Sequence, residues 1–425
     1  MGNGQFALTT PTAVNGRQAQ LDLRHRVAGG VRRAGHHIVA EENGPFVNAL
    51  MKSGGASAFA ALVDGNEQFV KNTPPESIAA YDARAPEAVF VTCSDSWASM
   101  PIATQRTPNN SNVLFIRTGI AGPVIGDVVA DSIARAHEDY PKAIFGVVSA
   151  PSKGPVTHED MLLTEQLLTE QISELVGRQA HLAHYDIATG RLKFLLSDSE
   201  TDMPVGDREA IQRLTTDLKT GDDLFVASIA ESNELQAHMD RIAADRQTPQ
   251  VTVVSDCRLT PELLFAQGVQ GGLFVVSYRF DAYLAYSKSP TYIPDNAIIG
   301  SAEYGILHLE TPLTVVLGET QEQAARMAAG LVEDSPAIFE AVLQRGKTTV
   351  VAGEYTGNGK VNFFSWIEPL SEFLSGSGPD APTYDLRAPG CSEPLGGQPT
   401  KQPPKPELTE YEIVETLITY PLHKL

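Results

Sequence analysis

The feature that most constrains this chain is an internal repeat. "LVDGNEQFVKN" at 62–72 resembles "LKTGDDLFVAS" at 218–228, aligning Gly65 with Gly221 and Phe69 with Phe225. "VFVTCSDSW" at 89–97 resembles "VTVVSDCRL" at 251–259, aligning Asp95 with Asp256. "NVLFIR" at 112–117 answers "GGLFVV" at 271–276, and "AHYDIATGRLKFL" at 183–195 answers "GEYTGNGKVNFF" at 353–364. The correspondences keep one order and a similar offset, so the sequence reads as two copies of one domain, over 55–200 and 205–368. A chain of 425 residues with 42% hydrophobic composition is long enough to bury two such cores.

Each copy alternates in the α/β manner. The runs "AVFVT", "AIFGVVSA", "VTVVS" and "LTVVLG" are short, apolar and rich in β-branched residues, as strands covered on both faces should be. Between them, "DVVADSIARAHEDY", "EDMLLTEQLLTEQISELVGR" and "QEQAARMAAGLVEDSPAIFEAVLQ" carry helical spacing. Strand, helix, strand predicts right-handed crossovers and a mostly parallel sheet flanked by helices. "YDIATGRLKF" predicts an edge strand entered through a turn at Thr189-Gly190.

The flanks differ in character. Residues 1–54 read as an N-terminal arm, and 369–425 as a Pro/Gly-rich strap ending in "LTEYEIVETLITYPLHKL", apolar enough to dock on its own or a neighbouring subunit. Arg24, Arg26, Arg32 and Arg33 stand against only Asp22 in the arm, which allows an organelle transit peptide; a helical arm on a cytoplasmic protein is the reading preferred. Phe6 follows "MGNGQ" where a myristoylation signal wants Ser or Thr. A net charge of −20 argues against nucleic acid, and no apolar run approaches the length of a membrane span. Cys93, Cys257 and Cys391 are scattered and odd in number, which predicts a reducing compartment rather than a disulfide framework.

Taken together, "DGNEQF" (64–69), "CSDSW" (93–97), "LFIRTG" (114–119) and "YDIATGRLKF" (185–194) resemble the β-class carbonic anhydrase family. In the second copy "SDCRLTPELLF" (255–265), "GGLFVV" (271–276) and "GSAEYGILHLETPLTVVLGETQ" (300–321) carry the same resemblance. It implies two tandem α/β domains forming an intramolecular pseudo-dimer, with homo-oligomers built by further pairing. The family's zinc is held by the Cys of "CSDSR" and by the His and Cys of "GHxxC", leaving one position for water, while the Asp of "CSDSR" pairs with its Arg.

Carried onto this chain, the first-copy ligand positions are Cys93, Ala150 and Lys153, and Trp97 stands in the arginine's place beside Asp95. The second-copy positions are Val254, Glu319 and Glu322, with the dyad kept as Asp256 and Arg258. Zinc is therefore expected to be absent from both copies.

Two readings stand for Cys93: a small apolar residue at a strand end, or a thiolate activated by Lys153. Asp95 caps a turn or pairs with Lys153, and Asp256–Arg258 is a structural bidentate bridge or a remnant of catalysis. Glu319 and Glu322 either favour the start of a helix near Thr320 or converge with Asp256 to hold Mg²⁺ or Mn²⁺. The function expected is that of a catalytically degenerate homologue with a structural, assembling or regulatory role. The alternatives are a repurposed lyase or hydrolase using the second-copy carboxylates, and residual CO2 hydration at Cys93 and Asp95.

Overall fold

The computed structural model describes residues 45–364 apart from 84–85, 95–98, 111, 119–124, 150–157, 187–188, 196–204, 245–247, 267–270 and 287–295. The transit-like segment, the strap, Asp95, Trp97, Ala150, Lys153 and Cys391 lie outside the described residues.

The β-branched runs form one ten-stranded sheet of order β10-β9-β8-β6-β7-β2-β1-β3-β4-β5. In the first half the strands are β1 (Ala88–Cys93), β2 (Val113–Thr118), β3 (Ile144–Ser149), β4 (His181–Asp186) and β5 (Arg191–Leu195). In the second they are β6 (Val251–Asp256), β7 (Leu273–Tyr278), β8 (Leu313–Gly318), β9 (Thr349–Tyr355) and β10 (Val361–Phe364). Strand β1 lies parallel between β2 and β3, and β6 lies parallel between β7 and β8. Each half ends in an antiparallel hairpin, β4–β5 or β9–β10, the edge strand predicted from "YDIATGRLKF". Gly190 takes φ +70° at the first turn and Gly359 φ +76° at the second, a region open to glycine at little cost. The halves meet at an antiparallel seam where Arg117 of β2 pairs with Ser277 of β7. From either edge the strand order reads the same.

Helices cover both faces. On one face α5 (Asp127–Asp139) and α6 (His158–Val176) lie against the first half. The second half's share of that face is covered by α10 (Phe280–Tyr286), α11 (Asn296–Glu303), α12 (Gln321–Asp334) and α13 (Pro336–Phe339). One apolar cluster runs unbroken under them, from Val89, Ile116 and Val147 to Val276, Val316 and Ala352. The single helical run expected over 321–344 is broken at Ser335. Its Oγ accepts from Ile338 N, and Pro336 cannot continue the preceding hydrogen-bond ladder.

The other face holds an exchange. Helices α1 (Pro45–Ser53), α2 (Ala56–Asn72) and α3 (Pro75–Asp82), which precede the first half, pack Val47, Phe59, Leu62 and Tyr81 against the cluster of Val253, Val315 and Phe363 of the second. Helices α7 (Val205–Glu231) and α8 (Asn233–Ala244), which precede the second half, pack Leu214, Phe225 and Met239 on Phe90, Phe115 and Ala183 of the first. Two short helices, α4 (Met100–Ala103) and α9 (Pro261–Leu264), follow β1 and β6 and receive these crossings. A Cβ on Gly65 would lie 2.1 Å from Phe265 O, and one on Gly221 would lie 1.9 Å from Thr104 O, so only glycine permits either approach. The repeated glycines of the sequence thus mark the repeated crossings.

Candidate functional site

The second-half site is built where β6, β7 and β8 end. Asp256, the last residue of β6, is fully buried. Its Oδ1 accepts from the backbone N and the Nε of Arg258 (3.0 and 2.8 Å), and its Oδ2 accepts from Arg258 Nη2 at 2.9 Å and from Phe280 N at 3.0 Å. An i, i+2 spacing across a tight turn lets one arginine grip one carboxylate with both sides of its fork. Arg258 Nη2 also lies 2.8 Å from Glu319 Oε2, just beyond the end of β8. Burial works against the guanidinium charge, yet Asp256, by hydrogen bond and by charge, and then Glu319 outweigh it and hold the Arg258 pKa above its ordinary value.

The convergence of Asp256, Glu319 and Glu322 on a divalent cation is corrected by this arrangement. Arg258 stands between Asp256 and Glu319, and a fixed positive charge there opposes a cation. Glu322 turns away to Arg326 of its own helix, 2.9 Å from Nε. Thr320 caps that helix, accepting from Gln323 N, and places Glu322 in its first turn, where an acidic side chain suits the helix dipole. Among the described residues no group of three His, Cys, Asp or Glu side chains is placed to hold a metal ion. Zinc does not fit here either. Val254 offers no donor atom and is buried within the sheet, both oxygens of Asp256 are engaged, and Glu319 is tied to Arg258.

At the matching edge of the first half, Cys93 is half-buried at the end of β1 and packs toward the cluster that holds Phe90 and Phe115. Ser149, the last residue of β3, is paired in register with His184 of β4, and its Oγ lies 2.6 Å from His184 Nδ1. Neither residue stands out in the sequence, because a lone Ser and a lone His carry no spacing signal. Cys257, by contrast, is buried next to Asp256, and burial, with the Asp256 charge adding to it, pushes its thiol well above the usual range.

Two polar clusters tie the halves together, and in each the partner across the seam is far away in the sequence. Arg117 of β2 donates both Nη groups to buried Glu262 of α9, which also accepts from Ser99 Oγ. Arg279 donates to Asp281 through Nε and Nη2 (3.0 and 2.8 Å) and to Asp139 of α5 through Nη1 (2.6 Å), and its backbone N donates to Ser132 Oγ. Despite partial burial, which favours the acid, Arg279 holds the Asp281 carboxyl below its ordinary value.

No protein-family model matches the chain. Among curated proteins it is similar to a carbonic anhydrase of Mycolicibacterium smegmatis, 29% identical over 152 residues, which is 35% of this chain and 68% of that protein. Carbonic anhydrase 2 of Mycobacterium tuberculosis is 28% identical over the same share of each chain. A solved β-carbonic anhydrase, CcaA, aligns with 37% of this chain and 96% of its own at 17% identity and a TM-score of 0.25. Over about a third of its length, and in the motifs at 64–69, 93–97, 114–119 and 185–194, the chain is similar to carbonic anhydrases.

Proposed function

We propose that this protein is a tandemly duplicated, catalytically degenerate β-carbonic anhydrase homologue with a structural, assembling or regulatory role in a reducing, cytoplasmic setting. The observation that carries the reading is the fate of Glu319. The family's pattern places a zinc-binding histidine there, whereas here a carboxylate completes an ion triad with Arg258 and Asp256. Val254 in the first ligand position supports the same reading, since an aliphatic side chain cannot bind zinc. In the first half the sequence supplies Ala150, which has no donor atom, and Lys153, whose ammonium opposes a cation. The continuous sheet supports an intramolecular pseudo-dimer, and pairing of two such chains would give a homo-oligomer.

Elemental analysis of the purified full chain, run beside a CO2-hydration assay and light scattering, tests the proposal. Substoichiometric zinc, no hydration above buffer and a mass above one chain are expected. Stoichiometric zinc accompanied by hydration activity would overturn it.

A further inference from the structure

The two helix crossings place Asn66 and Asp222 at matching positions, each one residue past the glycine that makes the close approach. At the second-half crossing, Asn66, next to Gly65 on α2, donates from Nδ2 to Leu264 O and Gly359 O, each at 2.9 Å, and accepts from Val361 N at 3.0 Å. Asp222, next to Gly221 on α7, is its counterpart: buried, with Oδ1 accepting from Leu192 N at 3.0 Å as Asn66 Oδ1 accepts from Val361 N. The pairing is fixed by the surroundings. Gly190 and Gly359 occupy the same left-handed turn position, and each would meet the ring of the phenylalanine three residues beyond the asparagine or aspartate, Phe225 or Phe69. Asp222 has an oxygen where Asn66 has its NH2, and the main-chain carbonyls that match those of Leu264 and Gly359 are those of Ala103 and Gly190.

An ionised carboxylate only accepts hydrogen bonds; a protonated one has a single donor. Set against carbonyl oxygens in a buried crossing, the ionised form leaves acceptors facing each other, which is costly. We propose that Asp222 is a proton-operated latch: protonated, it donates to a main-chain carbonyl at the crossing and clamps α7 onto the first-half sheet, and ionised it releases that clamp. Asn66 is the permanently closed version of the same device.

The electrostatic setting agrees. Burial, reinforced by neighbouring Asp223 and opposed by the Leu192 N–H and by Arg191, pushes the Asp222 carboxyl up from 3.8 to about 6. Two ion pairs flank it, and α8, packed on the same helix, carries Glu234, His238, Asp240 and Arg241. Arg191 of β5 pairs with Asp223 at 3.2 Å in an exposed bridge, and Arg106, just past α4, pairs at 2.7 Å with Asp217, one turn earlier on α7. Asp186, at the β4–β5 hairpin, accepts from Thr189 Oγ1. Helix α4, on which α7 rests, carries no titratable side chain. Because the folded state holds this proton more tightly than the unfolded chain, the latch's contribution is whole below about pH 4 and fades as pH rises through about 6.

Hydrogen exchange of α2 and α7 in the full chain, corrected for intrinsic rates and followed with the thermal midpoint from pH 4 to 8, tests this. In the parent protein the opening constant of α7 should rise with pH by up to about 100-fold, the equivalent of about two pKa units, while α2 stays flat. Asp222→Asn should abolish that rise and protect α7 at pH 7.5. Asn66→Asp should install a matching rise in α2. Equal pH slopes in the parent and Asp222→Asn overturn the proposal. Should Asp222→Asn not fold, an α2 that remains pH-insensitive in Asn66→Asp overturns it as well.

Discussion

The ends of β1 and β6 start from related sequence and finish as different chemistry. At β6 the chain closes around charge: Asp256 is fully buried, both its oxygens are occupied, and Arg258 passes the pairing on to Glu319. Among the described residues, the corresponding edge at β1 holds a half-buried thiol and a Ser149–His184 contact. A strand-end edge can be closed by an internal counter-ion, as at β6, or hold smaller polar contacts such as Ser149–His184. Only the first choice makes the fold depend on it, because breaking a buried ion pair exposes the full desolvation of the surviving partner.

The largest expected effect tests that dependence. Asp256→Ala should cost about 2–4 kcal/mol in urea denaturation, since it leaves Arg258 with Glu319 alone and Phe280 N without its acceptor. A loss below about 1 kcal/mol would mean the triad is a surface decoration and the contrast between the halves is false. Next come the crossings, where the halves should agree. Gly65→Ala and Gly221→Ala should each lower stability by about 1–3 kcal/mol or more, as a methyl cannot sit against the carbonyls of Phe265 and Thr104 without moving a helix. If one is tolerated while the other is not, the two crossings are not equivalent.

Smaller still is Ser149→Ala, which removes a single hydrogen bond and should cost about 1 kcal/mol. A cost matching that of Asp256→Ala would show that the first-half edge leans on its polar contact as heavily as the second. Last, with no expected change in stability, thiol labelling followed by peptide mass mapping should modify Cys93 in the native protein and Cys257 only after unfolding. Burial keeps Cys257 both inaccessible and protonated. Native labelling of Cys257 ahead of Cys93 would reverse the assignment of the open and closed edges.

Much of the fold is legible in the sequence because its signals are local. β-branched runs such as "VTVVS" and "LTVVLG" form buried strands, and the Thr189-Gly190 turn forms a hairpin with glycine at positive φ. The Asp256–Arg258 bridge is legible for the same reason, being an i, i+2 contact. What the sequence hides is long-range. Nothing near residue 60 indicates that Phe59 meets Phe363, or near Arg117 that its partner is Glu262. The convergence of carboxylates fails for a related reason. Proximity along the chain puts Glu322 beside Glu319, but helical geometry sends Glu322 to Arg326 and leaves Arg258 with Glu319. The helix over 321–344 reads as one because its apolar spacing continues through Ser335, where a local cap and Pro336 override periodicity.

The exchanged helices carry a consequence for how the protein is made. Helices α1 and α2 leave the ribosome early, yet the strands that cover Phe59 and Phe69 are β6 to β10, the last of the sheet to be synthesised. At about 5–20 residues per second the intervening stretch takes on the order of 10–40 s to appear. Throughout that interval a bent pair of helices bearing Phe46, Phe59, Leu62 and Phe69 has no native cover. The nascent chain thus displays an apolar pair of helices until the second half of the sheet is made, a natural substrate for ribosome-associated chaperones and the point at which slowed elongation would cost yield.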